Sequence, residues 1–178
     1  PWLQQAYLKA SNTTAYDNFG FSLAISANGN ILAVTAPRED SSARGIDGPQ
    51  ANDEAEDSGA TYVFTRTGTT WRQQAYVKAS NTDPGDQFGW SVTLSDDGNT
   101  MVVGASTEGS NARGVNGNQA DNSAANAGAA YVYTRTGGAW AQTAYLKGRQ
   151  TDPGDLFGFC VDLSADATTL AVCGYDED

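Results

Sequence analysis

The chain repeats itself at one fixed interval. Trp2, Trp71 and Trp140 are each 69 residues apart, and the same interval relates Tyr7, Tyr76 and Tyr145. It also relates Phe19-Gly20, Phe88-Gly89 and Phe157-Gly158, then Tyr62 with Tyr131 and Arg66 with Arg135. Residues 2–70 and 71–139 align without a gap, and 140–178 begin a third copy. A period held this strictly means stacked supersecondary units, each burying its apolar face against its neighbours.

Each unit reads as four strands. Phe88 to Ser95 (FGWSVTLS) is the first, followed by the turn Asp96-Asp97-Gly98-Asn99. Thr100 to Ala105 (TMVVGA) is the second, its unbroken apolar run fitting burial on both faces. A long polar loop, 106–126, leads to the third, Gly128 to Arg135. The turn Thr136-Gly137-Gly138 leads to the fourth, Trp140 to Lys147. Four antiparallel strands per repeat make a propeller blade, and the long loop explains why the period exceeds the ~40–50 residues of common propeller repeats. The expected organisation is one repeat array over 1–178. Residues 2–10 are the outer strand of a preceding blade, 19–79 and 88–147 are full blades, and 157–174 are the first two strands of another. The fold class is all-β: an open arc of about two and a half four-stranded antiparallel blades.

Composition narrows the chemistry. Gly, Asn, Thr, Ser and Asp are abundant, as short strands joined by turns require. A net charge of −11 repels phosphate and argues against nucleic acid or an anionic membrane as partner. No stretch approaches the ~20 apolar residues that span a bilayer. No basic-then-apolar leader opens the chain, so any secretion signal is expected to have been removed or to lie outside it. Histidine is absent, which removes the commonest general base and zinc ligand. No Ser-His-Asp or Cys-His arrangement exists, and no spacing singles out a carboxylate pair for glycoside chemistry. The expectation is a protein that is not an enzyme.

The Phe-Gly pairs, with second strands ending in Thr35-Ala36-Pro37, Gly104-Ala105-Ser106 and more loosely Cys173-Gly174-Tyr175, resemble the FG-GAP repeats of integrin alpha-like β-propellers, in particular bacterial secreted ones. AYLKASNT and YVFTRT segments in register strengthen the resemblance, which spans the chain. It implies a propeller that presents loops to a ligand, often with bound calcium. The family's calcium loop between first and second strands is reduced here to Asn28-Gly29, Asp97-Gly98 and Asp166-Ala167, which suit short hairpin turns. The long loops are the alternative place for calcium, since their side-chain oxygens are dense and Gly48 and Gly117 permit bends. Asp47, Asp53 and Asp121 are the candidate ligands, set against a solvated loop whose Asn, Asp and Gly simply favour turns.

Other repeated residues have structural readings. Asp17, Asp86 and Asp155 stand two residues before each Phe-Gly and are expected to cap the turn into the strand. The tryptophan and tyrosine rows read as packing between blades rather than a sugar platform, and Trp90 as core. Arg44 and Arg113 read as local salt-bridge partners. Hairpin register sets Cys160 opposite Cys173, so a cross-strand disulfide is open to them, with two buried thiols as the alternative. A disulfide would fit an oxidising compartment.

The function expected from these residues is an extracellular adhesion or scaffold module, secreted or at the cell surface, presenting acidic loops to a protein or glycan partner. The incomplete blades at the two ends also suit self-assembly into a larger propeller or filament. A carbohydrate-binding module and an accessory domain of a larger secreted enzyme are the alternatives.

Overall fold

A computed structural model describes residues 1–176; the last two positions of the 1–178 array lie outside the described residues. The described chain is all-β. The first blade contains β1 (Leu23–Ile25), β2 (Ile31–Ala36), β3 (Ala60–Thr67) and β4 (Thr70–Val77). The second contains β5 (Phe88–Leu94), β6 (Thr100–Ala105), β7 (Ala129–Thr136) and β8 (Ala139–Leu146). A two-stranded unit, β9 (Cys160–Leu163) and β10 (Leu170–Cys173), follows. Among the described residues, the named strands pair antiparallel with their neighbours in sequence, giving sheets ordered β1-β2-β3-β4, β5-β6-β7-β8 and β10-β9. An up-and-down blade alternates its connections between two ends. The long β2–β3 and β6–β7 loops therefore share one end with the segments that link the blades.

The blades stack face to face. Ile31, Ala33, Val63 and Ala75 of the first blade join one core with Val92, Leu94, Met101 and Val103 of the second. At the next junction the two backbones touch. Ser91 Oγ donates to the Gly158 carbonyl (2.9 Å), and a Cβ on Gly104 would lie 2.0 Å from that oxygen. Only glycine at 104 leaves room for this approach.

Residues 2–10 form no strand, in contrast to the outer strand expected there. A strand needs a ladder partner, and no described strand offers one on that side. The segment still takes the place an outer strand would have. Gln5 Oε1 accepts from Arg66 Nη1 (3.3 Å) and Trp71 Nε1 (3.1 Å). Gln74 Oε1, one period later, accepts from Arg135 Nη1 (3.4 Å) and Trp140 Nε1 (3.3 Å). Gln74 reaches the next blade from a β-bulge, because the β3–β4 register slips at Val63/Phe64 and leaves it unpaired. With β1 uncovered on its outer face, Leu23 and Ile25 are exposed, whereas Val92 and Leu94 at the same places in β5 are buried.

Cys160 and Cys173 are register partners and form a disulfide, with Cα atoms 5.2 Å apart. The tryptophan row is packing in its later copies. Arg66 stacks on Trp71 and Arg135 on Trp140, while Trp2 is fully exposed. Trp90 is half-buried rather than core. It stands in a row of rings, Phe21–Trp90–Phe159–Tyr175, with neighbouring centroids 4.9, 5.6 and 5.1 Å apart.

Candidate functional site: a repeated cleft over a buried polar joint

At the loop-bearing end, each linker between repeats lies against a long loop and leaves a cleft. The first, about 560 Å³, is lined by Ser11, Asn12, Thr14, Gln50 and Asp53. The second, about 400 Å³, is lined by Arg44, Ser80, Asn81, Gln119 and Asn122. Ser11 matches Ser80, Asn12 matches Asn81 and Gln50 matches Gln119 at one period; Asp53 matches Asn122. In each cleft the serine hydroxyl donates to the glutamine side chain across the gap.

The long loops hold their own shape. Ser41 Oγ donates to the Pro49 carbonyl (3.0 Å), and Ser110 Oγ donates to that of Asn118 (2.8 Å). Asp47 Oδ1 accepts from the Tyr76 amide (2.9 Å), and Asn116 Oδ1 does the same for Tyr145 (2.9 Å). Asn52 Oδ1 accepts from the Ser42 amide (2.9 Å), and Asp121 Oδ1 from that of Asn111 (3.1 Å). Acid and amide thus exchange between copies, so these places need a side-chain oxygen rather than a charge. Asp53 stands apart on the cleft rim. The candidate calcium ligands Asp47, Asp53 and Asp121 are not brought together, and no described group of three acidic side chains could hold a metal ion. One oxygen of Asp47 and one of Asp121 are engaged with backbone amides, while Asp53 lines the first cleft. The short hairpin turns are likewise self-contained. Asp97 Oδ1 accepts from Ser95 Oγ (2.6 Å) and the Asn99 amide (2.8 Å), which holds its carboxyl below the usual range.

Beneath the cleft floor lies a feature that reading by residue type overlooked. Asn12 Nδ2 donates to Glu39 Oε1 (2.7 Å), and Asn12 Oδ1 accepts from Tyr62 OH (2.7 Å). The other Glu39 oxygen accepts from Lys78 Nζ (2.7 Å), and Tyr76 OH donates to Oε1 (2.8 Å). One period later Asn81 Nδ2 donates to Glu108 Oε1 (2.9 Å), Tyr131 OH donates to Asn81 Oδ1 (2.7 Å), and Lys147 Nζ donates to Glu108 Oε2 (2.9 Å). The charged side chains of both ion pairs are essentially inaccessible to solvent. Burial pulls both lysine amines below their usual range, and the facing glutamates oppose it. Each asparagine comes from the linker before the blade and enters that blade's core, so the network joins one repeat to the next. Glu39/Glu108, Lys78/Lys147 and Asn12/Asn81 all keep the 69-residue register, and that signal was present in the sequence.

Asp17, Asp86 and Asp155 cap their turns. Their carboxylates accept from the amides of Thr14 (2.9 Å), Asp83 (2.9 Å) and Asp152 (2.7 Å). Burial raises Asp86 to about 8, aided by the charges of Glu108 and Asp83 and opposed by the Asp83 amide and Lys78. The folded chain therefore keeps a proton that the unfolded chain, with an Asp value of about 4, gives up. The associated stability is complete below about pH 4 and is lost as pH rises towards 8. Asp86→Asn keeps an oxygen for the Asp83 amide and removes the titration. Melting temperature followed across this window should fall less steeply with pH in the variant; equal slopes would refute the assignment. Arg44 meets Asp83 across the linker at 3.7 Å while largely exposed, a contact worth little to stability.

Stacked four-stranded blades with long loops gathered at one end define a β-propeller-type repeat protein. The FG-GAP repeat family matches the chain twice, over residues 2–64 and 71–133. The chain belongs to the FG-GAP repeat family. Comparison with curated proteins gives no match. No described helix is long and apolar enough to cross a membrane.

Proposed function

We propose that the chain is a non-catalytic binding module of an extracellular protein, presenting the loop-bearing end of its blades to a protein partner. The observation that carries this reading is the repeated cleft. A frame of buried, register-locked side chains supports a rim that changes from copy to copy, Asp53 against Asn122 and Gly48-Pro49-Gln50 against Gly117-Asn118-Gln119. A constant scaffold under variable exposed loops is how folds separate stability from recognition. The disulfide suits an oxidising compartment.

Probing the immobilised chain with matrix and cell-surface proteins tests this reading. It expects a partner whose affinity falls at least about tenfold in Gln119→Ala/Asn122→Ala, with melting unchanged. No protein partner, or binding indifferent to both clefts, would overturn it.

A carbohydrate-binding reading is favoured by one separate observation, the half-exposed ring row Phe21–Trp90–Phe159–Tyr175. A glycan array on the same chain and on Trp90→Ala decides it: hits lost in the variant support it, and an empty array removes it. Self-assembly through the incomplete blades finds support in the exposed Leu23 and Ile25. Light scattering with and without calcium checks it, a single-chain mass at all concentrations counting against it.

A further inference from the structure

We propose that Lys147 and Asn81 become joined by an amide bond inside the folded chain, with Glu108 moving the protons and Tyr131 holding the carbonyl oxygen. The four groups needed for such a bond meet in one buried place beneath the second cleft. One carboxylate holds the amine by Oε2 (2.9 Å) and the asparagine nitrogen by Oε1 (2.9 Å). The phenol of Tyr131 donates to Asn81 Oδ1 (2.7 Å), where negative charge develops when the carbonyl carbon is attacked. Tyr131 and Glu108 are fully buried, and Lys147 and Asn81 nearly so. A buried amine is a nucleophile only when neutral, and burial favours that form here.

The step balances without any further reagent. Lys147 passes a proton to Glu108, and the neutral amine attacks Asn81 Cγ, forming the new C–N bond. Charge gathers on Oδ1 under the Tyr131 hydroxyl. Glu108 returns the proton to Nδ2, the Cγ–Nδ2 bond breaks, and the nitrogen leaves as ammonia. The remaining amine proton leaves with it through the same carboxylate. A protonated lysine and an asparagine amide thus become a secondary amide and an ammonium ion, and Glu108 ends unchanged. The bond would run from the linker before β5 to the residue after β8, closing the whole second blade into a covalent ring.

The first blade holds the same set, Lys78, Glu39, Asn12 and Tyr62, with differences around it: Tyr76 OH donates to Glu39 Oε1 (2.8 Å) without a counterpart at Glu108, and the lysine has a second acceptor. Lys78 Nζ also donates to Ser58 Oγ (2.7 Å), whereas Ala127 stands at the matching place beside Lys147. The extra acceptor stabilises the ammonium form, so reaction at Lys147 comes first.

Intact mass of the full chain, folded and then reduced to open the disulfide, reads the bond directly. The expected mass is about 17 Da below that of the sequence, and a proteolytic digest should contain a branched peptide linking Lys147 to Asn81. A second loss linking Lys78 to Asn12 would extend the result to both blades. Lys147→Arg and Glu108→Gln should each abolish the Lys147 branch. An unmodified wild-type mass overturns the proposal, and this result needs no variant to fold. So does a 17 Da loss, of about the same size, traced to a succinimide at Asn28-Gly29 or Asn116-Gly117 with no branched peptide.

Discussion

Replacing Lys78 by methionine is expected to lower the unfolding free energy by about 3–5 kcal/mol, the cost of leaving one partner of a buried pair unpaired. Glu39 would remain in the core with Tyr76 and Asn12 still donating to it and no cation to balance its charge. The loss should appear as a shift in urea midpoint at unchanged slope. Glu39→Gln/Lys78→Met should recover part of it, because glutamine keeps an acceptor for Tyr76 and Asn12 while removing the charge. A loss below about 1 kcal/mol would place the pair among solvated ion pairs and contradict the burial described above.

Gly128→Ala should be comparably damaging for a different reason. Gly128 sits at φ +78, a region side-chain-bearing residues rarely adopt, and bridges in parallel to Phe157. A Cβ there would lie 2.1 Å from the Phe157 carbonyl oxygen and 2.5 Å from its nitrogen. Backbone strain and forced separation together should cost at least about 3 kcal/mol and loosen β9–β10 from the second blade. Gly137→Ala is the control. Its φ of +60 is also left-handed, but nothing lies within 4 Å of the added carbon, so only the local strain of roughly 1 kcal/mol applies. Equal midpoint shifts in the two variants would show that close blade-to-blade contact is not what position 128 serves.

The strands were legible because turn chemistry and apolar runs agree with the period. Thr100–Ala105 lies where its sequence places it, and the other strands of that blade differ by a residue at their ends. The cysteine pairing was legible because a hairpin turn fixes which residues face each other. The outer strand expected over 2–10 was read from its register with β4 and β8; the segment keeps the Gln5 contacts of that place and pairs with no described strand. The calcium expectation rested on the abundance of loop carboxylates. The exchange of Asp47 for Asn116 and Asn52 for Asp121 between copies already indicated a backbone-acceptor role. The joint of Asn, Glu, Lys and Tyr was hidden by distance along the chain. Glu39 and Glu108 stand among other acidic residues, and only their shared register with Lys78, Lys147, Asn12 and Asn81 marks them as a set.

Native-state hydrogen exchange tests most directly the claim that this joint couples consecutive repeats into one unit. Amides of β3 and β7 should open with a common free energy in the wild-type chain and respond to denaturant together. In Asn81→Ala, where the linker no longer reaches Glu108 and Tyr131, the two strands should open separately. Independent opening of β3 and β7 in the wild-type chain would contradict the account.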